Sequence, residues 1–313
     1  MSLLEIKDLK IHYPIRGGFF NRVIDHVYAV DGVDMVIEEG KTYGLIGESG
    51  SGKTTIGKTI VGLEKATGGE ILFNGENVLN KKVRKKIKYN EDVQMIFQDS
   101  MSSLDPKKRI LDILAEPLRN FENLSEEEEL QRIYELLDIV GMPKDSIYKY
   151  PHEFSGGQRQ RIGVARAVAC KPKLVICDEP VSALDLSVQA QVLNYLKEIQ
   201  KKYNLTYIFI SHDLGVVKHM CDYIYIMHRG RFTETGTRED IHKNPQHIYT
   251  KRLIASIPHI NPNAKEELRV EREIVDQLYK TEYSNYYDEK GRVYPLKKIS
   301  DTHFVADKRE GIK

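Results

Sequence analysis

TYGLIGESGSGKTTIGKTIVGL, residues 42–63, decides how the rest of the chain is read. It opens with a short apolar run that stops at a glycine, as a buried strand stops at the edge of a sheet. GESGSGKT (47–54) then fits the spacing G-x-x-x-x-G-K-[ST], and IGKTIVGL (56–63) continues as a helix. Strand, glycine loop and helix in direct succession are the context that this spacing needs to hold phosphate. Gly47, Gly50 and Gly52 let backbone N–H groups turn toward phosphate oxygens, aided by the positive end of the helix. Lys53 is then placed for β- and γ-phosphate oxygens, and the Thr54 hydroxyl for Mg2+.

Downstream, KLVICDEP (173–180) is an apolar run that delivers two carboxylates at its end, where open α/β sheets bind ligands. Asp178 suits the metal, and Glu179 is positioned to polarise an attacking water as general base. TYIFIS (206–211) is a second buried strand, and VQAQVLNYLKEIQKKY between the two reads as the crossover helix of a parallel sheet. In YPHEFSGGQRQRIGVARAVA (150–169), Ser155, Gly156 and Gly157 precede a helix carrying Arg159, Arg161 and Arg166. That is a second anion-binding helix start in a chain whose first is already assigned. Two chains set head to tail, each offering this start to the other's triphosphate, would use both; an ordinary capped helix is the plainer reading.

The remainder frames these segments. LEIKDLKIHY (3–13 with its flanks), VYAVDGVDMVIEEG (27–40) and GEILFNG (69–75) alternate as strands, with the turn-rich GGFFNR (17–22) between the first two. LDPKKRILDILAEPLRNF and SEEEELQRIYELLDIVGM are helical patterns, the second opened by Ser125 as N-cap with acids in its first turn. YIYIMHRGRFTETG reads as a hairpin, and beyond about residue 261 comes a polar tail with five of the 18 tyrosines. Lys+Arg 47 against Asp+Glu 46 removes the basic bias of a nucleic-acid coat. KKVRKKIK (81–88) reads as a solvated loop because no aromatic residues interleave with its charges. No run reaches the apolar length of a membrane helix, and the start lacks a signal-peptide pattern. Cys170, Cys177 and Cys221 have no metal-ligand spacing and read as buried thiols in a reducing compartment.

With these motifs in order, residues 3–260 resemble the ATP-binding subunits of ABC transporters. FSGGQ (154–158) is similar to the family signature, MIFQD with Gln98 to the glutamine loop, SALD (182–185) ending in Asp185 to the D-loop, and ISHD with His212 to the switch histidine. Tyr28, 25 residues before Lys53, falls where the family stacks an aromatic ring on adenine. The resemblance implies an α/β fold: a P-loop NTPase ABC cassette (1–260) with a RecA-like parallel-sheet core, an antiparallel β subdomain, an inserted helical subdomain at about 99–165, and a C-terminal extension (261–313). It implies ATP and Mg2+ as ligands. The ATP contacts would be Tyr28, the whole loop Gly47, Glu48, Ser49, Gly50, Ser51, Gly52, Lys53, Thr54 and Thr55, and Gln98. Across the dimer they would be Ser155, Gly156, Gly157, Gln158 and Asp185. Thr54, Gln98 and Asp178 would serve the metal; Glu179, His212 and Lys53 would serve catalysis.

NPQHIYTKRLIASIP (244–258), with Ile248 at the usual proline, together with YPHEFSGGQRQRI, GGFFNRVIDHVYAVDGVD (17–34) and PLKKISDTHFVA (295–306), resembles the oligopeptide/dipeptide permease ATPases, F-type. No cysteine follows Cys221, so the iron–sulfur cluster of some relatives is not expected. The resemblance implies an importer motor at the cytoplasmic face of the membrane. Its partners would be a second ATPase subunit, a paralogous D-type chain, two permease subunits and an external solute-binding protein, without nucleic acid. The stretch 99–150 would offer a groove to short helices of the permease. Nickel or metal-chelate import, an exporter motor and a non-transport ABC ATPase are the competing readings.

Overall fold

Apolar alternation in the first residues makes a strand, β1 (Ser2–Gly17), but its phase slips: Leu4 and Ile6 are buried, then Leu9 and Ile11. A period of two cannot bury both pairs unless one extra residue is accommodated. Asp8 does this at φ 46°, and the pairing shifts register between Lys7 and Lys10. β2 (Arg22–Glu38) slips in the same way between Val30 and Val33, where Gly32 takes φ 77°. The structure, a computed structural model, describes residues 2–99, 103–257 and 265–308. It divides into one unit of residues 4–37, 42–79 and 210–313 and another of 1–3, 38–41 and 80–209. The expected boundary at 260/261 lies outside the described residues.

In the first unit β3 (Thr42–Ile46) is buried throughout and feeds α1 (Lys53–Val61). β4 (Gly68–Phe73) and β5 (Glu76–Asn77) complete an antiparallel sheet of order β2-β1-β4-β5. GGFFNR is the tip of the long β1–β2 hairpin, with Phe19 and Phe20 exposed.

The second unit begins with α2 (Lys81–Lys86) and α3 (Tyr89–Asp92). The basic run expected as a loop is therefore largely a short surface helix. Asn80 caps it, and the Arg84 guanidinium lies over the Tyr89 ring at 4.7 Å. β6 (Val93–Ile96) is followed by three helices: α4 (Ile110–Phe121), α5 (Glu126–Ile139) and α6 (Gly156–Ala167). Ser125 caps α5 as expected, and Glu128 closes a capping box with it. β7 (Leu174–Asp178) runs parallel to β6, α7 (Leu186–Tyr203) follows, and β8 (Thr206–Ser211) gives the order β8-β7-β6. These strands are continuous apolar runs, as strands covered on both faces require.

The first unit resumes with α8 (Leu214–Met220), β9 (Tyr223–His228) and β10 (Arg231–Thr237). β9 pairs in parallel with β3, and with β10 as the expected hairpin. α9 (Arg238–Lys243), α10 (Ile248–Ala255), α11 (Lys265–Thr281), α12 (Tyr283–Tyr286), β11 (Leu296–Lys298) and β12 (Phe304–Ala306) finish the chain. The tail that read as merely polar is built into this unit. β12 pairs with β10, and Tyr286, Tyr287, Val293 and Ala306 form an apolar cluster with Ile248. The His303 ring contacts the fully buried Glu234 carboxylate at 2.7 Å, which also accepts the N–H groups of Gln246 and His247. Satisfying a buried carboxylate this completely offsets the desolvation that would otherwise expel it.

Candidate functional site

The glycine loop runs from the end of β3 into α1, and its glycines are fixed by close backbone approach. A Cβ on Gly47 would sit 2.1 Å from the Met227 carbonyl oxygen, and one on Gly52 2.1 Å from that of Ala29. Gly50 takes φ 80° with open space at its Cβ position. Gly52, the residue before α1, takes φ 109°, and no side chain caps the helix. Lys53, only 4% exposed, folds back: its ammonium donates to the Gly47 and Glu48 carbonyls at 2.8 Å each and to the Ser51 hydroxyl at 3.4 Å. A buried cation held by neutral oxygens inside a ring of backbone amides is complementary to an anion. Glu48, Ser49 and Gly50 are exposed at the rim, Ser51 is buried, and Thr54 and Thr55 begin the helix half-buried.

Tyr28 stands on β2 in the same unit, 49% exposed, with its ring edge-on to His12 at 4.7 Å. His12 contacts Asp31 at 3.1 Å, and Arg231 donates to that carboxylate at 2.7 and 3.0 Å. Burial pushes the Asp31 carboxyl up, but the Arg231 hydrogen bonds and charge outweigh it and hold it below the usual range. One side of Tyr28 is thus anchored while half of its surface stays available for stacking. His212 follows β8 and is exposed.

The other unit carries the carboxylates. Asp178 ends β7 and is buried. Glu179, one residue on, adopts φ 45°, a strained conformation for a residue with a side chain. Gln98, 81 residues away in sequence, donates its amide N–H to the Glu179 carboxylate at 2.9 Å. Glutamine loop and base candidate are therefore in direct contact.

The second glycine-rich helix start is built differently. Ser155 caps α6 by accepting the Gln158 N–H at 3.3 Å, and Gln158 returns the bond to the Ser155 N–H at 2.9 Å. The arginines grouped with it in sequence serve carbonyls instead. Arg159 donates to Phe154, Arg161 to Val140 and Gly141, and Arg166 to Ser103. Helical periodicity puts Arg159 and Arg161 on the faces of Gly156 and Gly157, three and four residues on, but their guanidinium groups are engaged by nearby backbone carbonyls. A Cβ added to Gly156 would meet only Leu184, at 4.0 Å, whereas one on Gly157 would lie 2.5 Å from Val188. Asp185 caps α7 by accepting the Val188 N–H at 3.3 Å. Sequence reasoning missed Tyr249: its hydroxyl oxygen accepts the Glu48 N–H of the glycine loop at 3.0 Å across 201 residues of chain. Nothing local marks that pairing.

Known proteins resemble this chain over most of its length. The ABC transporter family model matches residues 30–182, and that of the oligopeptide/dipeptide transporter C-terminal region matches 233–283. The chain is 60% identical to the oligopeptide transport ATP-binding protein OppF of Lactococcus lactis subsp. lactis (strain IL1403), over 97% of this chain and 96% of that one. It is 52% identical to the dipeptide transport ATP-binding protein DppF of Lactococcus lactis subsp. cremoris (strain MG1363), over 75% of this chain and 76% of that one. Among solved structures, the dimeric, post-hydrolysis ATP-binding cassette MJ0796 bound to ADP and Pi superposes with a TM-score of 0.66 at 26% identity, covering 75% of this chain and 98% of that one.

Proposed function

This chain belongs to the ABC transporter ATP-binding protein family, and from that premise we propose that it is the ATP-hydrolysing motor subunit of an importer for oligopeptides or dipeptides. The observation that carries the reading is Lys53, a buried ammonium folded into a glycine loop that leaves no room for a side chain at Gly47 or Gly52. The matched transporter C-terminal region supports the peptide assignment over the other importer and exporter motors.

In this reading the loop Gly47–Thr55 holds the triphosphate while Tyr28 stacks on the adenine. Lys53 exchanges its carbonyl acceptors for phosphate oxygens, a gain because a charged acceptor binds an ammonium more strongly than a neutral one. Mg2+, when bound, supplies charge neutralisation at the reacting oxygens. A hydroxyl, a carboxylate and an amide oxygen suit a hard cation, and Thr54, Asp178 and Gln98 each offer one of these donors. Glu179 takes the proton of the attacking water at its carboxylate, which Gln98 already orients by its hydrogen bond. His212 serves the γ-phosphate.

Ser155, Gly156, Gly157, Gln158 and Asp185 complete the nucleotide site of a second ATPase subunit, a paralogous D-type chain set head to tail. No helix among the described residues is long and apolar enough to cross a membrane. Work on solute would then pass through two permease subunits, fed by an external binding protein, with this chain at their cytoplasmic face. Closure on ATP and release after hydrolysis would move the permease between its two states. The cassette is assigned to 1–260, with its helical part at about 99–165, and the extension to 261–313. Glu179→Gln in the assembled transporter is the test: ATP binding should persist while hydrolysis falls by about 10²- to 10⁴-fold. Turnover within a few-fold of the unmodified protein removes Glu179 as the base.

A further inference from the structure

Tyr249 lies in the segment matched as the transporter C-terminal region, yet it touches the phosphate loop. Its ring is fully buried on α10, and its oxygen accepts the Glu48 N–H at 3.0 Å. The Glu48 carbonyl is held from the other side by the Lys53 ammonium at 2.8 Å and by the Ser51 N–H at 3.2 Å. Both polar groups of one loop residue are therefore pinned, by partners from opposite ends of the sequence.

The ring beneath Tyr249 is His228, at the end of β9, stacked at 4.3 Å and 17°. Its neighbour Met227 presents the carbonyl that crowds Gly47. The Tyr287 hydroxyl meets His228 Nδ1 at 2.8 Å. Burial pushes the imidazole down to about 4 and the Tyr287 phenol up, so the two meet as a neutral ring and a protonated hydroxyl. Tyr283 stacks on Tyr287 at 4.3 Å and 12°, and Arg229 donates to the Tyr283 hydroxyl at 2.8 Å and to the Gly291 carbonyl at 3.1 Å. The tyrosine-rich tail thus ends a contiguous set of contacts that begins at Glu48.

We propose that Tyr249 is a positioning residue for the phosphate loop, and that Tyr287 of the C-terminal extension steadies it through His228. The proposal rests on the reading of the loop as the triphosphate cradle. When Lys53 turns to phosphate, its hold on the Glu48 carbonyl weakens, and Tyr249 still fixes the same residue through its N–H. Without that hydroxyl the loop must be ordered at the expense of nucleotide affinity. The extension is then part of the nucleotide site rather than an appendage to it.

The experiment titrates Mg-ATP calorimetrically against the full chain and its Tyr249→Phe, Tyr287→Phe, doubly substituted and Lys53→Ala forms, with thermal unfolding of each. Tyr249→Phe keeps the ring and its stack, so it should raise the Kd by about 2- to 10-fold, the worth of one hydrogen bond. In the assembled transporter KM should rise with it while kcat at saturation changes little. Tyr287→Phe should act in the same direction but less, and the double form should fall short of the product of the two, because both act on one peptide. An unchanged Kd in Tyr249→Phe, alongside strong loss in Lys53→Ala, overturns the proposal and leaves the cradle standing. An unchanged Kd in Lys53→Ala overturns the cradle and the proposal together. If Tyr249→Phe folds poorly, Tyr287→Phe decides, since it leaves the Tyr249 hydroxyl in place: unchanged affinity there overturns the path through His228.

Discussion

The two glycine-rich helix starts of this protein look alike in sequence and differ in what satisfies them. At α1 the residue before the helix is Gly52 at φ 109°, no side chain caps it, and a buried lysine doubles back over the loop. At α6 a serine caps the helix and a glutamine returns the bond, so the first turn is already closed on itself. The first is shaped for an anion from its own chain's solution side. The second is satisfied by its own cap, and a phosphate would have to compete with that cap. A helix start does not become an anion site through its dipole alone; what matters is how its N–H groups are otherwise used.

The sharpest break in this comparison is Lys53→Ala. Deleting an ammonium with charge-assisted bonds should weaken Mg-ATP binding by about 10- to 100-fold, read by titration of the isolated subunit. An effect as small as that of Ser155→Ala on the same measurement would make the two starts equivalent.

Gly156→Asp is next. Its Cβ has room, and an acid in the first turn favours the helix by about 0.3–1 kcal/mol. The isolated subunit should therefore bind ATP and melt as before. Hydrolysis by the assembled transporter should fall at least about tenfold, because like charges would face each other across the closed interface. Normal transport would remove Ser155–Gln158 from a shared site. Gly157→Asp is a poorer probe: its Cβ would overlap Val188, costing about 1–3 kcal/mol of stability before any ligand is involved.

Ser155→Ala sharpens the comparison with the smallest effect. Losing the cap should cost about 1 kcal/mol, a fall in Tm of about 2–4 °C by thermal scan. Loss of transporter hydrolysis beyond that would show the hydroxyl also serving the partner's nucleotide.

Motifs whose chemistry is local were legible in the sequence: the loop 47–54, the Asp178–Glu179 pair at a strand end, and the Ser125 cap. Each is marked by residues adjacent in sequence, even where, as at Gly47 and Gly52, distant backbone also fixes the conformation. The arginines of α6 misled, because periodicity says which residues share a face but not which carbonyls lie opposite. The tail misled too. Its polar average hid tyrosines that pack with Ile248, and Glu234 and His303 pair only because β12 returns to β10.

The sequence by itself determined a glycine loop between strand and helix and a carboxylate pair at a strand end, because these are short-range patterns fixed by spacing; the reading of FSGGQ came from the family resemblance. Only the tertiary structure decided that Gln98 holds Glu179 and that Tyr249 grips Glu48 from 201 residues away. Such pairings depend on where strands and helices place distant backbone groups, and no local propensity encodes that distance.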